Sequence, residues 1–346
     1  MKYITGDRCL RIKGYWLMVV GLMLIVGCSS DSTGSDEQQR STGSTLQVVP
    51  YIAAYQSNDV LSRRAVSAGY SAYTPNQDIA IGLYLLPEAT PSVKLLRYTS
   101  GAWHSQTTVA NNTDYTIYGF MPKKDPISSS ITQSSENVVL TLSNIDAVCP
   151  DDICFITGVK DLTGDLLQGQ FYYKGKEDEN YIRLLMDHLF ASVKFNFTVD
   201  TDYSKLRTIK LKSLKLSTTT APVTATITLT PNTTDAYPAS VAYTTSAGAS
   251  TATFFESEDG EAIPTTNTDF ICCFAPSASN TMTLVTTYDV YDSKGNLIRK
   301  DCEAKNKLPD LEAQRGWQVT LNLKVSPTYL YQLSEPDLDN PTITIN

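Results

Sequence analysis

From Val193 to Val199 apolar and polar residues alternate without a break, as Val193-Lys194-Phe195-Asn196-Phe197-Thr198-Val199. A side-chain period of two belongs to a strand with one packed face and one wet face, and a helix cannot sort these residues that way. The pattern recurs along the chain. Ile79, Ile81, Leu83 and Leu85 alternate, as do Tyr115, Ile117 and Gly119, then Val138, Leu140 and Leu142, and finally residues 318–325. Short alternating runs between turn residues predict an all-β protein built from antiparallel sheets. In residues 209–216 the alternation slips one place at Ser213, which predicts a β-bulge. The Thr-rich residues 218–230 and residues 281–291 continue the set, and Asp292-Ser293-Lys294-Gly295-Asn296 supplies hairpin turn chemistry after them.

One segment breaks the pattern. In residues 179–190, Ile182, Leu185, Met186 and Leu189 fall at helical spacing, which predicts a single short helix. Removing residues 1–27 leaves 319 of the 346 residues, more than one β-sandwich of about 100 residues needs. The expected organisation is two tandem antiparallel β-sandwich domains, residues 46–180 and 181–346, with that helix between them.

The amino terminus reads as an export signal. Lys2, Arg8, Arg11 and Lys13 precede an apolar run over residues 17–27 that stops at Cys28, the order of a basic region, an apolar region and a small residue at a cut. The run is too short to span a bilayer, which takes about 20 apolar residues. Residues 29–45 are polar and small with no aliphatic side chain, so residues 28–45 are expected to form a flexible tether. Residues 46–55 then form a strand-like run whose Pro50 lacks an amide donor and belongs at a sheet edge or a bulge. A small, polar loop follows, carrying Arg63-Arg64, and exposed loops of this kind are where proteases cut.

Removing residues 1–27, with their four cations and one anion, takes the net charge from −8 to −11, and no basic cluster remains to track a phosphate backbone. Nucleic acid is therefore not an expected partner. Beyond Cys28 the cysteines are Cys149, Cys154, Cys272, Cys273 and Cys302, an odd count with no C-x2-C pair. With only His104 and His188 beside them, no metal site and no cofactor are expected. Asp337, Asp339 and Asn340 lack calcium-loop spacing and read as a solvated turn. No G-x-S-x-G, H-E-x-x-H or P-loop is present, and His188 reads as a structural histidine, so no catalytic residue and no enzyme activity are expected. Eighteen of the 20 tyrosines lie beyond residue 27, enough for aromatic sugar platforms. A monomeric, anchored glycan-binding lipoprotein is thus an alternative function.

Several of these stretches together resemble one family. Leu24-Ile25-Val26-Gly27-Cys28 is similar to a lipobox. Ser62-Arg63-Arg64-Ala65 precedes Asp78-Ile79-Ala80-Ile81-Gly82-Leu83, His188-Leu189-Phe190-Ala191-Ser192-Val193-Lys194-Phe195 opens the second block, and Leu311-Glu312-Ala313-Gln314-Arg315-Gly316-Trp317-Gln318-Val319 follows late in the chain. In that order they resemble the fimbrillins, the lipoprotein-derived pilins of Bacteroidetes-type bacteria. The resemblance implies two transthyretin-like sandwiches and acylation of Cys28 at the outer membrane. It further implies cleavage after an arginine by an arginine-specific surface protease, and polymerisation with other pilin subunits into a fimbrium that adheres to a host or glycan receptor.

A cut after Arg64, or Arg63, would detach Cys28 and residues 46–55 together, whereas Arg40 is a rival site that would leave the strand in place. An uncovered groove is filled by an added strand. Thr342-Ile343-Thr344-Ile345 suits that part, with Ile343 and Ile345 on one face, although the same residues can also pair within their own domain.

Overall fold

A computed structural model describes residues 43–57, 69–220, 222–231, 239–245, 248–266, 268–329 and 336–345. The expected signal, Cys28, Arg40, Arg63 and Arg64 lie outside these residues. The protein is all-β. In chain order its main strands are β1 (Gln47–Ala53), β2 (Ile79–Leu86), β3 (Asp114–Met121), β4 (Val138–Ile145), β5 (Cys154–Asp161), β6 (Tyr181–His188), β7 (Ala191–Val199), β8 (Arg207–Thr218), β9 (Val223–Leu229), β10 (Ser250–Ala262), β11 (Thr268–Phe274), β12 (Met282–Asp292), β13 (Leu297–Lys307), β14 (Trp317–Tyr329) and β15 (Pro336–Ile345).

Residues 179–190 are not a helix. They contain β6, and the reason lies in where that strand sits. β6 is internal to a nine-stranded sheet ordered Tyr70–Ala72, β1, β6, β5, β3, β2, Lys94–Thr99, Ala102–Ser105, with Tyr172–Lys174 added on β3. Ile182, Leu184 and Met186 are buried on one face, and Leu185 and Asp187 are buried on the other. A strand covered on both sides loses its alternation and reads as a continuous apolar run, which helical spacing also fits. The α-helix among the described residues is one turn, α1 (Thr201–Ser204), whose cap Asp200 accepts from the amides of Asp202 and Tyr203.

The second large sheet is ordered Val148–Cys149, β11, β7, β14, β15, with Gln56–Ser57 also paired to β14. Two four-stranded sheets add further layers, one of Ser128–Gln133, β4, β9 and Ala239–Thr245, the other of β10, β8, β12 and β13, and Gly43–Thr45, the end of the expected tether, is instead a strand paired antiparallel with Thr108–Ala110. The bulge expected at Ser213 is present, with the register of β8 shifting between Leu211 and Ser213 against both β10 and β12. The turn at residues 292–296 is closed by Asp292, which accepts from the amides of Lys294 and Asn296.

The described residues lie within one compact unit, Ser41–Asn346. A continuous core runs through it, with Phe120, Phe155, Phe190, Phe195, Phe197 and Phe274 fully buried at its centre; each such side chain contributes about 1.5–3 kcal/mol. Backbones approach closely where β2 pairs with β3: a Cβ on Gly119 would lie 2.2 Å from the carbonyl oxygen of Gly82, so only glycine fits there. β6 and β7 are joined by Leu189-Phe190 and lie in different large sheets. Each has a parallel partner from near one end of the described chain, β1 for β6 and β14 for β7.

Candidate functional site at the first strand

β1 is a guest in the sheet of later strands. It runs parallel to β6, with Gln47 opposite Tyr181 through to Ile52 opposite Met186, and on its other side Tyr51–Ala53 pair with Tyr70–Ala72. Pro50 sits where its missing amide costs nothing, opposite Leu184 and before the short pairing with Tyr70–Ala72 begins, while its carbonyl accepts from Tyr73 N at 2.9 Å. The strand expected to lie at an edge is therefore one place in from it, covered along three residues. Val48, Pro50 and Ile52 are buried, as is Leu46 just before them. Leu46, Val48 and Ile52 together supply on the order of 5–9 kcal/mol of packing.

Both ends of β6 hold β1. At the start, the side chain of Asn180 donates to Ser44 Oγ at 2.6 Å, and its main-chain carbonyl accepts from Gln47 N at 2.7 Å. At the end, His188 Nε2 lies 2.6 Å from the carbonyl oxygen of Ala53. The Tyr55 ring stacks on the His188 ring with centroids 3.6 Å apart, and the Tyr55 hydroxyl donates to Asp152 Oδ1 at 2.8 Å. Burial, then the nearby Cys273, Asp152 and Cys154, hold the Tyr55 phenol well above its ordinary pKa. Arg315 supports this end, donating to the His188 carbonyl at 3.2 Å and pairing with the buried Asp187 carboxylate at 3.7 Å. Asp187 also accepts from the Tyr70 hydroxyl and from Gln168.

β15 forms the edge of the second large sheet. It pairs antiparallel with β14 of its own chain, with Val325 opposite Ile343 and Leu323 opposite Ile345. Pro341 and Ile343 are buried, Thr342 and Ile345 are half-buried, and Thr344 is exposed. Side chains from outside the sheet donate to its carbonyls: Asn306 to Ile343 at 2.6 Å, Tyr288 to Pro341 at 3.3 Å, Arg299 to Asp339 at 3.1 Å and Tyr203 to Leu338 at 2.7 Å. Asp339 lies in this strand, where its carboxylate takes Arg207 at 2.7 Å.

The sequence reading placed the terminal strand correctly as β-structure and missed the side chains that grip β1. Asn180, His188, Asp152 and Arg315 are scattered over 164 residues, and only their common position around β6 brings them together.

No protein-family model matches the sequence, and no curated protein matches it. Solved structures similar to this chain include a candidate cell adhesion protein from Bacteroides uniformis, 11% identical over 88% of this chain and 98% of that one with a TM-score of 0.40. A fimbrial protein from Bacteroides vulgatus is 11% identical over 87% and 98% with a TM-score of 0.39. The fimbrial anchor protein Mfa2 from Porphyromonas gingivalis is 10% identical over 86% and 97% with a TM-score of 0.23. At these values the likenesses carry no argument on function.

Proposed function

We propose that this protein is a structural subunit of a surface fimbrium, exported as a lipoprotein through Cys28, cut after Arg63 or Arg64, and joined to other subunits by strand exchange. The observation that carries the reading is the placement of β1. It is a single strand, seated by alternate apolar side chains beside β6, and joined to the rest of the chain through the segment that holds both arginines. A cut there makes β1 part of a separate peptide that takes the lipid with it. The seat it leaves has unpaired backbone groups along β6 and apolar depressions where Leu46, Val48, Pro50 and Ile52 lay. A strand of matching alternation fills such a seat. β15 offers one: Pro341-Thr342-Ile343 repeats the buried proline, the intervening residue and the buried isoleucine of Pro50-Tyr51-Ile52. Exchange requires β15 to leave β14 of its own chain first.

The test is made in cells. With Arg63→Ala and Arg64→Ala combined, the protein should stay lipidated and monomeric; with residues 341–346 deleted, it should be processed but unable to join a chain. Normal polymers from either variant would overturn the reading. A wild-type protein that remains monomeric and is retarded in a polysaccharide gel would instead be the anchored glycan binder.

A further inference from the structure

The donor atoms of Asp152, Cys154 and His188 all lie within 4.8 Å of one another. His188 Nδ1 is 2.8 Å from Asp152 Oδ2 and 3.7 Å from Cys154 Sγ. The other ring nitrogen is already committed. Nε2 faces the carbonyl oxygen of Ala53, which can only accept, so Nε2 carries a proton. In a neutral ring the Nδ1 lone pair then points at a carboxylate oxygen, and two electron-rich atoms at that distance repel. Two cations remove the repulsion, a second proton on the ring or a metal ion between the groups. The sulfur separates them. A second ring proton gains little from a thiol at 3.7 Å, whereas a borderline-soft divalent ion takes sulfur, nitrogen and oxygen together.

We infer that Asp152, Cys154 and His188 form a binding site for a zinc-like divalent transition metal, with one ligand position left for a water or a neighbouring side chain. Tetrahedral coordination at ordinary zinc bond lengths puts nitrogen and sulfur about 3.5 Å apart and nitrogen and oxygen about 3.4 Å apart. The sulfur is within reach as it stands, and the carboxylate must draw back by about half an ångström. Asp152 can do that. It lies on the connection between Val148–Cys149 and β5 with its side chain 33% exposed, while His188 is 4% exposed and Cys154 is fully buried. The supporting contacts are those that metal ligands need: the Ala53 carbonyl fixes the histidine tautomer, and the Tyr55 hydroxyl orients the carboxylate. Ala53 ends β1 and Tyr55 follows it, so a bound ion fastens the end of that strand from behind. The site does not depend on strand exchange.

Cobalt(II) titration of the full-length protein is the test. One equivalent should bind, with a sulfur-to-cobalt charge-transfer band. Cys154→Ser should abolish that band, Cys302→Ser should leave it intact, and Tyr55→Phe should weaken binding about tenfold, the effect of losing an outer contact to a ligand. No band, or a band unchanged by Cys154→Ser, would overturn the site in favour of a doubly protonated His188 paired with Asp152. X-ray absorption on the zinc-loaded wild type settles the matter without a variant: sulfur in the first shell supports the site, and a shell of nitrogen and oxygen alone refutes it.

Discussion

Asn180 Nδ2 donates to Ser44 Oγ at 2.6 Å from a fully buried position. The same amide group accepts from the Tyr173 hydroxyl at 2.6 Å and from Lys176 N at 2.9 Å, so one side chain ties the approach to β1 to the turn before β6. Asn180→Ala leaves the buried Tyr173 hydroxyl, and the less covered Ser44 and Lys176 groups, without that bond. The expected cost is about 2–4 kcal/mol of unfolding free energy, measured by chemical denaturation, and a loss under about 0.5 kcal/mol would show that water replaces the amide.

β15 gives a contrast within one strand. Ile343 is buried and Thr344 is exposed. Ile343→Ala should cost about 2–4 kcal/mol, and Thr344→Ala should stay within about 0.5 kcal/mol. Equal effects in denaturant melts would mean that β15 does not rest on β14 in solution.

Burial pushes the Tyr243 phenol up to about 12, with the Arg315 cation opposing in part, and its hydroxyl donates to the Leu189 carbonyl at 2.5 Å. The folded protein therefore holds this proton more tightly than the unfolded chain. Its contribution is fully present below the ordinary tyrosine range and is lost as pH rises through about 12. Tyr243→Phe should remove that part of the alkaline fall in stability. A wild-type and variant pair with parallel stability curves above pH ~10 would refute the assignment.

At the acid end, Lys324 and the amides of Tyr203 and Asp202 hold the Asp200 carboxyl below its ordinary value. Its contribution is present above the ordinary carboxylate range and disappears as pH falls through the lowered folded value. Asp200→Asn keeps an acceptor for the cap and removes the charge, so thermal melts on descending pH should fall less steeply than in the wild type. An unchanged slope counts against the pairing with Lys324.

The all-β character was legible because alternation survives wherever one face of a strand is wetter than the other. β7 is the clearest instance, and the slip at Ser213 marked a true bulge for the same reason. β6 was illegible because both of its faces are covered, which erases the period-two signal and leaves helical spacing by default. The grip on β1 could not be read at all. A lone histidine with no neighbouring ligand in sequence looks structural; Asp152 and Cys154 reach it through the pairing of β5 with β6, and Ala53 and Tyr55 only once β1 lies against β6. The parallel pairing itself has no local signature, since no turn joins the two strands.

The pairing of Gln47 with Tyr181 spans 134 residues, and this sets an order of events during folding. Closing so long a loop is entropically unfavourable and slow compared with forming nearby hairpins. β2, β3, β5 and β6 can assemble through shorter connections first, leaving the place for β1 formed and waiting. The first strand to leave the ribosome is then among the last to arrive. A seat that matures ahead of its own occupant is, for that interval, open to any strand of suitable pattern, so the timing of folding and not only its endpoint decides which chain fills it.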